Sequence, residues 1–473
     1  MRASTGSFSR LRRGLGLGVV GLGASIAPLD FAVNIVFPAM ARDFGLQATD
    51  IRWVAIGLVL TYGSLMLGFG ALGDRIGHRR VFRSGLALAT VAFALCAWAP
   101  AFWILLLGRI LQGIAVALVL SCAPALATRI FPESSRTAAL AAYGSLMAAA
   151  GVLAPLIGGL SLLTVGWPGV FAIRVPLMAL ALLASSPRFG LLGDSPGELA
   201  RVTSSLRPGS PLSLASGTGA HPAWLALGLA LLLTVPPLLG ELGSRPSGVI
   251  ALASLLSATC GVGVLLRFAR AQSGRARPFL PKTVARHPPF WRLQAAAVLV
   301  QFSSFALPLI APFALLGTLG QGPLASGALM ALWAIGTLAG SALMPRVITR
   351  LGIAQATRLS VWLASLGLFM VALWPVIPGL PWAAASLLVQ GAALGLFQVA
   401  YGDQVIAALP AEARGVAGSL TMVTRTIGLV FGASVWIALL RAEGFMAVYL
   451  TAAGVIAVFA LLTPRRRDWS IAA

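Results

Sequence analysis

The sequence predicts an all-α polytopic membrane protein: fourteen transmembrane helices, arranged as two six-helix halves with two further helices inserted between them. Three observations carry this. Hydrophobic residues make up 58% of the 473 and charged residues 10%, with a mean hydropathy of +0.93, whereas soluble domains keep about a quarter of their residues charged. Runs free of Asp, Glu, Lys, Arg and His extend from Leu293 to Pro345 (53 residues), Leu359 to Gly402 (44) and Thr137 to Ile173 (37). One crossing takes about 20 apolar residues, so each run holds two crossings and a turn. The basic residues, finally, gather on one side of the crossings this implies.

In chain order, span 1 (14–37) follows the basic Arg10-Leu-Arg-Arg13. That start mimics a signal peptide, but no small-residue cleavage site ends it and thirteen more apolar blocks follow, so it reads as a permanent helix. A short charged loop separates spans 2 (51–71) and 3 (81–99), and span 4 (102–127) comes next. The turn Thr164-Val-Gly-Trp-Pro168 parts span 5 (137–163) from span 6 (166–186), completing a first half of 1–186. The Ser-, Gly- and Pro-rich stretch 187–221 reads as a flexible cytoplasmic linker. Spans 7 (222–240) and 8 (247–266) form the insert, 222–268, and a basic cytoplasmic loop, 269–292, leads to the second half, 293–473. There Gly317-Thr-Leu-Gly-Gln-Gly-Pro323 parts span 9 (293–317) from span 10 (325–345), and Pro375-Val-Ile-Pro-Gly-Leu-Pro381 parts span 11 (357–376) from span 12 (382–404). Spans 13 (416–440) and 14 (444–463) follow.

Charge sets the orientation. With the N-terminus inside, 27 of the 34 Lys and Arg fall in cytoplasmic segments, four (Arg42, Arg52, Arg245, Arg441) in outer segments and three (Arg109, Arg174, Arg425) within spans. Cytoplasmic loops carry the positive excess, so both termini are expected inside. The net charge of +22 is spread over eight segments facing anionic headgroups, which makes the bilayer the partner and argues against nucleic acid. Cys96, Cys122 and Cys260 stand in apolar settings unsuited to a disulfide framework, and three histidines without paired spacing supply no metal site. No cofactor is expected, and the oligomeric state is left open.

The chain also repeats itself. Gln112-Gly113, Pro132 and Arg136 recur as Gln390-Gly391, Pro410 and Arg414, all at an offset of 278 residues, and Asp74-Arg-Ile-Gly77 is echoed by Thr349-Arg-Leu-Gly352 at 275. Spans 1–6 and 9–14 are therefore two parallel repeats, the design of transporters that rock one half against the other around a midplane site.

Four motifs add a family resemblance. Gly70-Ala-Leu-Gly-Asp-Arg-Ile-Gly-His-Arg-Arg80, between spans 2 and 3, matches the signature loop of the major facilitator superfamily. Leu107-Gly-Arg-Ile-Leu-Gln-Gly113 resembles its span-4 arginine motif, and Gly151-Val-Leu-Ala-Pro-Leu-Ile-Gly-Gly159 its antiporter motif, with Ala154 where the pattern has Gly. Pro28-Leu-Asp-Phe-Ala-Val-Asn-Ile-Val-Phe-Pro38 resembles a motif of fourteen-span drug:proton antiporters. The resemblance implies a proton-driven exporter of lipophilic small molecules in a bacterial cytoplasmic membrane, not an enzyme. It also implies a conformational latch made by Asp74, Arg75, Gly77, Arg79, Arg80 and Arg129, with Asp74 accepting hydrogen bonds near Arg414 to Ala417. Two departures weaken a specific claim of cationic drugs: Arg174 stands where relatives usually have Asn, and span 10 lacks the acid that some relatives exporting divalent organic cations carry there.

Within the spans, Asp30 is the one deeply placed carboxylate. A charge at the bilayer centre costs about 2.5–3.5 kcal/mol on insertion scales, so Asp30 is either the proton carrier or a structural acid neutralised by an arginine. Asp30, Arg109 and Arg174 all lie seven or eight residues from the outer ends of their spans, roughly 10 Å deep, which suggests one polar cluster coupling the proton. Arg109 can equally serve as a packing hub. Arg425 is a candidate for the substrate cavity, and Asp403 reads as an interfacial charge. Gly151, Pro155, Gly158 and Gly159 allow span 5 to bend and approach a neighbour closely, which packing alone could explain. Trp and Phe side chains in the spans read as lipid-facing or core. The expected function is antiport of hydrophobic or amphipathic molecules against protons. The alternatives are export of an anionic or lipid-like amphiphile, and a non-transporting sensor or scaffold of the same fold.

Overall fold

The computed structural model describes residues 2–47, 50–131, 135–192, 227–228, 231, 234–235, 248–273, 288–407 and 414–462, and among these there is no strand. Among the described residues, nine stretches are long and apolar enough to cross a membrane, counting the bent span 1 as one. Spans 2, 6 and 8 contain shorter apolar helices, and the last long stretch, Thr424–Leu462, holds both spans 13 and 14. These two are parted at Gly444, whose φ of 83° and ψ of −175° break the run Arg414–Leu462. Most of span 7 and most of the 187–221 linker lie outside the described residues.

Glycine marks the repeat in the backbone. Arg52–Ile76 and His78–Ala97 meet at Gly77, with φ 97°, and Pro323–Leu351 and Ile353–Ala372 meet at Gly352, with φ 78°. Only a residue without Cβ takes that conformation cheaply, so the two echoed motifs build the same tight turn. Gly113 and Gly391 match in the same way. A Cβ on Gly113 would lie 2.9 Å from the Leu58 carbonyl oxygen, and one on Gly391 would lie 2.1 Å from that of Trp333. Span 4 thus packs on span 2 as span 12 packs on span 10.

Span 1, expected as a continuous helix, is interrupted. It is bent by 42° between its two helical parts, through a 3-10 turn at Pro28–Asp30, because Pro28 has no amide hydrogen to continue the ladder. Span 6 continues from Gly169–Ala172 into Arg174–Ala184 through Ile173, whose φ of −62° and ψ of −26° are helical. Span 9 continues from Pro288–Ser304 into Ala306–Phe313 through a helical Phe305 and ends in a π turn, Ala314–Thr318.

The turns joining spans 1 to 2, 5 to 6 and 9 to 10 share the end of the bundle poor in basic residues, hereafter the low-charge end. The Gly77 and Gly352 turns lie at the opposite, basic end. The halves touch at mid-depth and toward the low-charge end. A Cβ on Gly159 would lie 2.6 Å from the Pro323 carbonyl oxygen, and one on Gly327 would lie 2.5 Å from that of Pro155. Gly63 of span 2 abuts Thr426 of span 13, and Phe31 of span 1 meets Trp333 of span 10 edge to face, ring centroids 5.3 Å apart. Toward the basic end, the Cβ positions of Gly68, Gly70 and Gly144 have open space around them, and residues 140–149 of span 5 are largely exposed. Among the described residues, these contacts join the halves at mid-depth and at the low-charge end.

Candidate functional site

The bend in span 1 turns Asp30 toward spans 4 and 6. Its carboxylate accepts four hydrogen bonds: two from Arg109, one to each oxygen, at 2.7 Å, one from Gln112 at 2.9 Å and one from Arg174 at 3.1 Å. Arg109 is held in place by donating from Nε to the Val54 carbonyl at 2.8 Å and from Nη1 to Gln112 Oε1 at 2.8 Å. Arg174 also donates to the Leu29 carbonyl, on the 3-10 turn. Both arginine side chains are 1% exposed and the Asp30 side chain 14%. The Phe171 ring lies within cation–π distance of both guanidinium groups, at 5.9 and 6.0 Å, and Phe93 lies 5.3 Å from Arg174. Two-pronged pairing of an arginine with a carboxylate is among the stronger polar contacts a protein makes. The structure therefore brings together the three charges that depth alone had grouped, with two cations on one anion.

Span 5 sits between the halves. Gly158 lets it close on span 1 of its own half, where a Cβ would lie 2.6 Å from the Ala32 carbonyl oxygen, while Gly159 and Pro155 face span 10 of the other. Gly151 is less crowded, 3.8 Å from Pro28. Of the latch residues, Gly77 forms the turn described above and Arg79 donates to the Ser185 carbonyl at 3.2 and 3.3 Å, tying that turn to the end of span 6. Arg80 and Arg129 are exposed. The side chains of Asp74 and Arg75, and those of 414–417, lie outside the described residues. Arg425 is half-buried, and its Nε is buried without a hydrogen-bond partner. Asp403 is exposed near the basic end.

Comparison with known proteins decides the family: the profile described as Major Facilitator Superfamily matches residues 19–433. The chain belongs to the Major Facilitator Superfamily. Similar to it is the "Methylenomycin A resistance protein" of Bacillus subtilis, 35% identical over 186 residues, a match spanning 39% of each chain. Also similar is the "Tetracenomycin C resistance and export protein" of Streptomyces glaucescens, 27% identical over 88% of this chain and 74% of that one. Among solved structures, a POT family transporter in complex with 5-aminolevulinic acid superposes with a TM-score of 0.70 at 15% identity, covering 95% of this chain and 94% of the other. The chain is thus a multi-pass membrane transporter with drug-resistance relatives, and not an enzyme.

Within this Major Facilitator Superfamily chain, three features escaped the sequence. Gln112 marked the repeat but was not read as an Asp30 ligand, although it stands three residues after Arg109, on the same face of the helix. The bend at Pro28 had a visible cause, yet nothing local says which way it turns Asp30. Phe31 and Trp333, read by default as core or lipid-facing, meet across the seam between the halves.

Proposed function

We propose that the protein is a proton-coupled antiporter that exports hydrophobic or amphipathic small molecules across the bacterial cytoplasmic membrane by alternating access. The observation that supports this most is the Asp30 cluster. A proton and the two guanidinium groups compete for the same carboxylate oxygens, so Asp30 can load a proton when Arg109 or Arg174 moves away and must release it when they return. Such a movement follows if halves 1–186 and 293–473 rock about the seam at Gly63, Gly159 and Gly327. Substrate that favours one arrangement and a proton that favours the other are then exchanged without an idle leak. The experiment is reconstitution: a pH step across proteoliposomes should drive accumulation of a lipophilic dye, and addition of dye should move protons. Dye movement that leaves proton flux unchanged would remove the coupling.

In this reading the basic end is cytoplasmic, because it holds 27 of the 34 basic residues. A cysteine placed at Arg275 in a cysteine-free variant should react with an impermeant reagent in everted vesicles and stay unlabelled in intact cells. Labelling from outside would invert the topology.

Asp74 would latch the basic ends of the halves by accepting hydrogen bonds at the start of span 13, where the helix dipole favours a negative charge. Asp74→Asn should slow export several-fold and raise the reactivity of cysteines in the basic-end opening, with expression unchanged. Unaltered transport and reactivity would reduce Asp74 to a loop charge.

A further inference from the structure

At mid-depth, beside Asp30, the seam holds hydrogen-bond donors that the protein itself leaves unused. Arg425 makes no ion pair with a described residue, and its Nε is buried and unpartnered. Trp333 is 6% exposed, and its indole N–H, also buried, has no acceptor. Tyr62 is half-buried next to Gly63, the point where span 2 abuts Thr426 of span 13, the residue that follows Arg425. Phe31 follows Asp30 in the chain and packs edge to face on Trp333. These four side chains come from both halves and lie at or next to contacts of the seam: Phe31 on Trp333, and Tyr62 and Arg425 beside the Gly63–Thr426 contact.

The local charge is one-sided. Asp30 is consumed by Arg109 and Arg174, which leaves one positive charge in excess there, and Arg425 adds a second. Uncompensated cations at membrane depth are costly and are usually paired or functional. A cationic ligand would add to the repulsion, whereas an anionic one would supply the missing counter-charge together with acceptors for the idle N–H groups.

Resting on the export reading above, we infer that this seam is the substrate site and that it selects an aromatic amphiphile bearing an anionic oxygen group. The apolar body packs on the Phe31 and Trp333 wall, and the anionic oxygens take the donors of Arg425 and Tyr62. Exchange of one such anion outward for one proton inward moves two charges per turnover, a neutral substrate moves one and a monovalent cation none. Membrane potential therefore reads out the sign of the substrate.

The test uses three anilinonaphthalene probes that share one ring system and carry a sulfonate, no charge or a trimethylammonium group. Binding to the full chain in nanodiscs, with empty nanodiscs subtracted, should favour the sulfonate over the ammonium probe by tenfold or more. Arg425→Gln should weaken sulfonate binding by about thirtyfold, the scale of a lost buried charge pair, and leave the neutral probe within about twofold. Trp333→Phe, which keeps the ring and removes the donor, should weaken the sulfonate probe about threefold to tenfold, as for a single lost hydrogen bond. In proteoliposomes at equal pH on both sides, an imposed potassium potential should drive accumulation of the sulfonate probe and leave the ammonium probe at equilibrium. If the ammonium probe binds more tightly and exchanges with protons, the inference falls while the export reading stands. Sulfonate binding indifferent to Arg425→Gln also overturns it, and failure of all three probes to move, with no proton flux, overturns both.

Discussion

Asp30→Asn is expected to abolish gradient-driven accumulation while the protein still binds substrate. A pH step of one unit is worth about 1.4 kcal/mol per proton, a tenfold concentration ratio, so the parent should concentrate substrate about tenfold in proteoliposomes and the variant not at all. The asparagine cannot carry the proton, but it keeps the size of the side chain and an oxygen that can accept from Arg109. Removing one partner of a buried ion pair also costs about 3–5 kcal/mol of stability, so folding is checked by binding, and Asp30→Glu serves as the second variant. The glutamate restores a titratable carboxylate at the same bend and should return accumulation at a reduced rate. An Asp30→Asn protein that still concentrates substrate with a pH step as the sole energy source would make Asp30 structural and send the search for the proton path toward Asp403.

Gly159→Leu is expected to force the low-charge end open. The added Cβ would meet the Pro323 carbonyl oxygen at 2.6 Å, and the Leu324 backbone lies 3.1 Å away, so neither neighbour can yield by rotating a side chain. Overpacking of this kind costs about 1–3 kcal/mol, which as a population change is about 5- to 150-fold. Spin labels at the exposed positions Val165 and Ala325 lie on either side of the contact and report it directly. The parent should give one short distance, and the variant should add a longer component that dominates. Export should fall with it, since a pump held open at one end cannot cycle. An unchanged distance distribution would mean that span 5 and span 10 do not form the closing contact. The parallel substitution at the less crowded Gly151, where the nearest atom is 3.8 Å away, should have a much smaller effect.

Much of the charged part of the site was legible from position alone. Asp30, Arg109 and Arg174 could be grouped by counting residues from the ends of their spans, because rise per residue converts sequence into depth with little ambiguity. Azimuth is another matter. Counting says that Trp333 is embedded, but not that it faces the seam, and the helix carrying it is apolar on nearly every side, so no polar stripe sets its rotation. Gln112 was hidden for a related reason: an uncharged amide costs less to bury than a charge, so its place in a span raised no question. The bend at Pro28 could be anticipated, but its 42° and its direction depend on what spans 4 and 6 offer in return, namely two guanidinium groups for Asp30 and the Leu29 carbonyl.

The sequence by itself determined that the chain lives in a membrane, how many times it crosses, that its two halves are repeats and where its few embedded charges lie in depth. Each of these follows from hydropathy and charge summed over local segments, quantities that do not depend on which helices are neighbours. The tertiary structure alone decided that Asp30 is shared between Arg109 and Arg174, that Gly159 and Gly327 admit the other half's backbone at the low-charge end, and that Phe31 and Trp333 meet across the seam. Those contacts depend on helix rotation, on the backbone break at Pro28, and on small residues admitting a neighbour's backbone. In a bundle whose helices are apolar on most faces, packing is what selects the rotation.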